Sequence, residues 1–195
     1  MAHSLRHLKT EASNCQRCDI WRCGGQVVFG EGPRHAPLML VGEQPGHEED
    51  LTGHPFVGPA GRLLDIAISE AGFSREAVYV TNAVKHFKFV QRGKRRLHQK
   101  PTSGEIDICK WWLQQEIAII GPKVVVALGA SAARAVFGKP MAVQANRGKT
   151  FPLAPDLIGL VAIHPSFVLR QRESAQRAAL SRQLATDLKQ AFALL

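Results

Sequence analysis

Residues Val41–Asp65, VGEQPGHEEDLTGHPFVGPAGRLLD, decide how this chain is read. Immediately before them, Pro37–Val41 (PLMLV) has the length and apolar run of a short buried strand. Behind them, Leu63, Leu64, Ala67, Ile68 and Ala71 recur at helical spacing and Gly72 supplies a stop, so a helix is expected over Gly61–Ala71. Between strand and helix lies a polar turn with Glu43, Gln44, Pro45, His47, Glu49 and Asp50, then a second turn through Pro55, Gly58 and Pro59. Gly42 and Gly46 let backbone amides approach a ligand closely, and a strand-to-helix junction aims such amides at anions. A plain connector needs none of this. Ligands of open α/β sheets bind in loops at strand ends, so the turn is a candidate site.

Further strands and helices alternate down the chain, with no internal repeat. Ala77–Asn82 (AVYVTN), Lys123–Leu128 (KVVVAL) and Leu157–Ile163 read as three further strands, and Val27–Phe29 as a small edge strand. Helices are expected over His3–Asn14, from a capping box at Thr102–Glu105 to Ile120, over Ala130–Phe137 and over Arg172–Leu194. Strands alternating with helices predict a single α/β domain over residues 1–195, an αβα sandwich with a four-stranded parallel sheet. Its strands end in GEQPG, TN, G-A-S and HPS, so Glu43, Gln44, Asn82 and His164 should converge.

A chain of 195 residues, 45% of them hydrophobic, can bury a substantial core and is not disordered by composition. No apolar run reaches the ~18 residues that span a bilayer, and MAHSLRHLKT lacks the apolar segment of a signal peptide. A cytoplasmic protein with no membrane contact is expected, its four cysteines reduced or metal-bound. The net charge of +9 points to a polyanion. Its distribution says more: no acid stands between Glu76 and Glu105, while Lys85, Lys88, Arg92, Lys94, Arg95, Arg96 and Lys100 crowd there with Phe87 and Phe89. That composition suits a loop tracking a phosphate backbone.

The converging residues carry base-recognition chemistry. The Asn82 amide presents a donor and an acceptor together, matching the edge of a pyrimidine such as uracil. Phe56 can stack on a base, and a neutral His164 can donate to a carbonyl oxygen as negative charge grows on it. Such a set fits a pocket for a flipped nucleotide.

GEQPG followed by PFVGPAGRLLD, then VTNAVK and HPS, resembles the uracil-DNA glycosylase superfamily, and specifically its iron–sulfur branch, from Cys15 to the last helix. Gln44 within GEQPG and KRRLH at Lys94–His98 are similar to the X subfamily, whose members become covalently joined to uracil-DNA. The resemblance implies that His98 attacks the sugar C1′ as uracil leaves and that His164 stabilises the uracil anion. It also implies that Phe56 stacks on uracil, Asn82 reads its edge, Glu43 and Gln44 line the sugar side, Arg96 holds the basic loop, and Ser166 binds a phosphate.

Two departures stand out. The family turn usually continues Gly-Asp, whereas here His47 follows Gly46, removing a carboxylate proposed to manage water although Asp50 remains. The branch places its 4Fe-4S ligands at positions occupied here by Cys15, Cys18, His86 and Cys109, so histidine replaces one thiolate and the segment 1–30 supplies two ligands. Cys23 is the alternative fourth ligand, and zinc on the same residues is chemically reasonable. The expected partner is uracil-containing DNA, single-stranded first and double-stranded second, bound by a monomer. The rivals to self-trapping are a turnover glycosylase releasing a free abasic site and a non-catalytic damage- or single-strand-binding protein.

Overall fold

The computed structural model describes residues 4–23 and 25–195. In chain order the strands are β1 (Leu38–Gly42), β2 (Val78–Asn82), β3 (Phe89–Arg92), β4 (Arg95–His98), β5 (Val124–Leu128), β6 (Thr150–Ala154) and β7 (Leu157–Ala162). The helices are α1 (Leu5–Ala12), α2 (His47–Thr52), α3 (Pro59–Glu70), α4 (Ser103–Ile120), α5 (Ala130–Phe137), α6 (Val143–Asn146), α7 (Pro165–Leu169) and α8 (Ser174–Phe192). His3, the expected start of the first helix, lies outside the described residues.

Four strands run parallel in the order β2-β1-β5-β7, as expected for an αβα sandwich. A fifth, β6, adds antiparallel to β7 and lies outside the expected set. Its Pro152 argues against a strand in sequence, yet an edge strand tolerates proline where no ladder donor is needed. Along each central strand, side chains alternate between two cores. Met39, Val41, Tyr79, Val125, Ala127 and Val161 pack with α1, α4 and α5. Leu38, Leu40, Val78, Val80, Val124, Val126 and Leu160 pack on the other face with α3 and α8. Both faces are therefore dry, which is why these strands read as continuous apolar runs.

Three local readings are corrected. Val27–Phe29 is no named strand, although Glu31 exchanges backbone hydrogen bonds with Val80 of β2 at 2.9 and 2.8 Å. The polar turn contains α2, whose first turn carries Glu48, Glu49 and Asp50, where acids complement the helix dipole. The Glu49 carboxylate accepts from the Gly46 amide at 3.0 Å and the Gly58 amide at 2.8 Å, tying both turns together. Finally, the basic segment folds into the antiparallel hairpin β3–β4, in which Phe89 pairs with His98.

The expected capping box holds. Thr102 Oγ accepts from the Glu105 amide at 3.3 Å, the Glu105 carboxylate accepts from the Thr102 amide at 2.6 Å, and Gly121 closes α4 in the left-handed region at φ 61°.

Two glycines make opposite predictions. A Cβ on Gly61 of α3 would sit 1.7 Å from the Phe56 carbonyl oxygen, so Gly61→Ala should destabilise the fold by roughly 2–3 kcal/mol. A Cβ on Gly104 of α4 would meet nothing within 4 Å, so Gly104→Ala should be neutral or stabilising by up to about 1 kcal/mol. Denaturant midpoints of the two variants check the contrast.

Candidate active site

The carboxyl ends of β1, β2, β5 and β7 open into a cavity of about 890 Å³. Glu43, Gln44, Gly46, Phe56, Asn82, His98, His164 and Ser166 line it, residues more than a hundred positions apart in sequence. Register explains the first convergence, since Gly42 stands opposite Asn82 at the ends of β1 and β2. Gly42 does not line the cavity but makes room behind it. A Cβ there would meet Asn82 Oδ1 at 2.4 Å and the Phe56 ring at 2.6 Å. Phe56 itself holds φ 58°, a left-handed conformation costing a bulky residue on the order of 1–3 kcal/mol. Its ring faces His164 with centroids 6.3 Å apart.

His164 is held in one tautomer. It caps α7, and its Nδ1 accepts from the Ser166 amide at 3.1 Å, so the ring proton sits on Nε2. Burial pushes its pKa down to about 4; the Glu43 charge opposes this, while Arg170 and His98 add to it. At neutral pH the residue is therefore an uncharged N–H donor. Ser166 Oγ contacts His164 Nδ1 at 2.8 Å and accepts from Arg170 Nη1 at 3.1 Å, which joins the expected phosphate contact to a cation.

Across the cavity, His98 Nε2 lies 3.4 Å from Glu43 Oε1. The second Glu43 oxygen accepts from Ser131 Oγ at 2.5 Å. Burial pushes the Glu43 carboxyl up, but the His98 ring, the Ser131 hydroxyl and His164 outweigh it and hold the group below the ordinary carboxylate range. Ser131, buried in the first turn of α5, is a partner of the candidate site that the sequence reading missed. Its signal was a hydroxyl two residues past the strand-end glycine, Gly129.

Gln44 works as a clamp. Its amide nitrogen donates to the Lys88 and Gln99 carbonyls at 3.2 and 3.1 Å, and its oxygen accepts from the Lys88 amide at 3.3 Å. Those residues flank β3–β4, so one side chain grips both ends of the hairpin that carries His98. Arg96 and Asp50 stand beside the cavity, outside its lining. The Arg96 guanidinium donates to Asp50 and to His47 Nδ1 and lies over the Phe87 and Phe89 rings, which anchors the hairpin to α2.

The basic segment is less available to DNA than its composition implied. Lys85 is buried against Glu116, Lys88 pairs with Glu105 at 2.8 Å, and Arg96 is committed to Asp50. Arg92, Lys94, Arg95 and Lys100 remain exposed.

Cys15, Cys18 and Cys109 pack in or against the core under α1, α4 and α5. Cys15 Sγ accepts from Trp112 Nε1 at 3.2 Å, and buried Cys109 Sγ accepts from the Lys85 amide at 3.3 Å. Burial pushes Cys109 up to about 12, with Lys85 opposing and Cys18 and Cys15 adding to the rise. Burial likewise raises Cys18, and Cys15 adds to it. The three sulfurs thus share one neighbourhood. His86 is buried and its pKa is lowered by burial, with Asp50 opposing, so it offers a neutral imidazole. Among the described residues no three Cys, His, Asp or Glu side chains close on one point as ligands of a single ion. Cys15, Cys18 and Cys109 would offer a cluster three thiolates from one neighbourhood, while the charge acting on His86 is that of Asp50.

Comparison with known proteins agrees with this geometry. Residues 29–189 match the family model described as the uracil DNA glycosylase superfamily, and the chain belongs to that family. It is 38% identical over 164 residues to a type-4 uracil-DNA glycosylase of Thermotoga maritima, covering 84% of this chain and 82% of that protein. Type-4 uracil-DNA glycosylases of Sulfurisphaera tokodaii and Archaeoglobus fulgidus are 39% and 37% identical over 70% and 69% of this chain; the chain spans 59% and 64% of their lengths. Among the described residues no helix is long and apolar enough to cross a membrane.

The His164 pKa has a consequence for stability. Because folding lowers it from 6.5 to about 4, its contribution is fully present above pH 6.5 and is lost as pH falls towards 4. The part-exposed ring reduces the effect to roughly 1–3 kcal/mol. Thermal melts between pH 7 and 4 should fall less steeply for His164→Asn than for the unaltered chain.

Proposed function

We propose that this protein extrudes uracil from DNA, cleaves its N-glycosidic bond and is captured by the resulting sugar through His98. The observation that carries the reading is the Glu43–His98 pair on the wall of the cavity lined by Phe56, Asn82 and His164. An ionised Glu43 accepts a hydrogen bond from the His98 nitrogen that faces it, which keeps the proton there and leaves the other ring nitrogen with its lone pair. Phe56 supplies the platform for the base and Asn82 the donor–acceptor match to its edge. The Nε2–H of His164 stabilises negative charge arriving on a uracil carbonyl oxygen.

In the bond-breaking step, the C1′–N1 electron pair leaves with uracil and an oxocarbenium-like sugar remains. The His98 lone pair forms the new N–C1′ bond, and Glu43 balances the imidazolium. A nucleophile fixed beside C1′ outcompetes water through effective concentration. The Gln44 clamp serves that end, since it fixes the roots of the hairpin that presents His98.

The chain acts as a monomer on single-stranded DNA first, with Ser166 and Arg170 taking a phosphate. Cys15, Cys18, Cys109 and His86 would hold a 4Fe-4S cluster, which supplies a structural and redox-capable pin between the N-terminal segment and α4. The similarity to type-4 uracil-DNA glycosylases favours a second reading, a turnover glycosylase acting by water.

One denaturing gel tests both. A uracil-containing oligonucleotide should yield an adduct that survives denaturation, and His98→Ser should yield none while still releasing uracil. An alkali-cleavable product without adduct from the unaltered chain would establish turnover; neither product would leave a binding protein.

Purified protein should be brown with about four irons per chain. His86→Ala should lose iron and Cys23→Ser should retain it. The reverse pattern would make Cys23 the ligand, and a colourless protein with one zinc would end the iron assignment.

A further inference from the structure

Among the described residues the most deeply buried cation is Lys85, 1% exposed just past the end of β2 and paired with fully buried Glu116. Its ammonium spends all three donors: 2.7 Å to Thr81 Oγ1, 2.7 Å to the Asn82 carbonyl and 2.5 Å to Glu116 Oε2. Glu116 also accepts from the Gly30 amide at 2.9 Å, the Tyr79 hydroxyl at 2.9 Å and Thr81 Oγ1. No polar group in this network lacks a partner. Burial and the Glu116 charge hold the Tyr79 hydroxyl protonated far above its ordinary range, so Lys85 and Glu116 are the charges at its centre.

A buried ion pair is a poor source of stability, because desolvation offsets the attraction and apolar replacements are often neutral. Its position is more telling. Asn82 is the last residue of β2, where a wandering backbone would swing the side chain that meets the base. Lys85 grips its carbonyl from the core, and the parallel ladder to β1 sets Asn82 opposite Gly42. The Asn82 backbone is therefore held at two points before any ligand arrives.

We infer that Lys85, held by Glu116, is a positioning residue for uracil specificity. It fixes the Asn82 backbone so that the side-chain amide meets the base edge preorganised. The inference rests on the reading of Asn82 given above. It involves no proton transfer, since Lys85 never faces the cavity.

The test is a cycle between Lys85→Met/Glu116→Gln and Asn82→Ala in the whole protein, with iron content and Tm matched to the unaltered chain. The Glu116→Gln change keeps an acceptor for Gly30, Tyr79 and Thr81 without leaving an unpaired charge. Single-turnover uracil release should fall roughly tenfold in the pair variant, while binding to a uracil-free oligonucleotide stays unchanged. In the Asn82→Ala background the same pair change should cost less than about twofold, because the two act through one contact.

Equal losses in both backgrounds would overturn the inference, as would an undiminished rate in the pair variant. An unaltered rate in Asn82→Ala alone would instead remove Asn82 from base recognition, and the inference with it. Should the pair variant lose its fold, Lys85→Gln/Glu116→Gln carries the same comparison, with no charge left unpaired and an amide nitrogen one bond short of the lysine's.

Discussion

A parallel sheet covered on both faces leaves its polar chemistry one exit, the ends of its strands. Most of the candidate site obeys that constraint. The apolar runs of β1, β2, β5 and β7 fill two cores with no room for an uncompensated charge. Glu43, Asn82, Ser131 and His164 therefore stand at or just past strand ends and gather around one cavity. The same dryness that stabilises the sheet shapes the site. Burial keeps His164 neutral, and Glu43 stays ionised only because His98 and Ser131 oppose the cost of desolvating it.

The hairpin β3–β4 is the one part of the site outside this frame. Its strands pair only with each other, and a lone two-stranded ribbon is marginal in water. Gln44 at its roots and Arg96 on its face supply what a neighbouring sheet would otherwise provide. Composition put Arg96 in a loop tracking a phosphate backbone, and the resemblance put Gln44 on the sugar side and had Arg96 hold the loop; the structure employs much of their hydrogen-bonding capacity inside the protein.

What could be read in advance follows the same physics. Strand ends were legible because VVVAL and PLMLV have only one stable home, and α4 because its capping box and apolar stripe agree. β6 was hidden by its proline and α2 by the glycines around it. Asn82, Phe56 and His164 were legible as residue types without a bland role together. Ser131 was not, since a serine close behind a strand-end glycine is commonplace. Neither was Glu116, although Cys109, Trp112, Leu113, Glu116 and Ile120 form one buried stripe. A carboxylate in that stripe demands a buried cation, and counting Lys85 with the exposed basic residues concealed the partner.

Phe56, Gly42 and Gly61 form a single mutational unit. The ring lies where a Cβ on Gly42 would stand, and its carbonyl lies where a Cβ on Gly61 would stand, while its own backbone is turned into a conformation most residues avoid. Bulk cannot be added at either glycine without displacing the aromatic platform, and the platform cannot relax without losing the gap that the glycines leave. Redesign of this pocket for a larger base must change all three positions at once or start from a different wall.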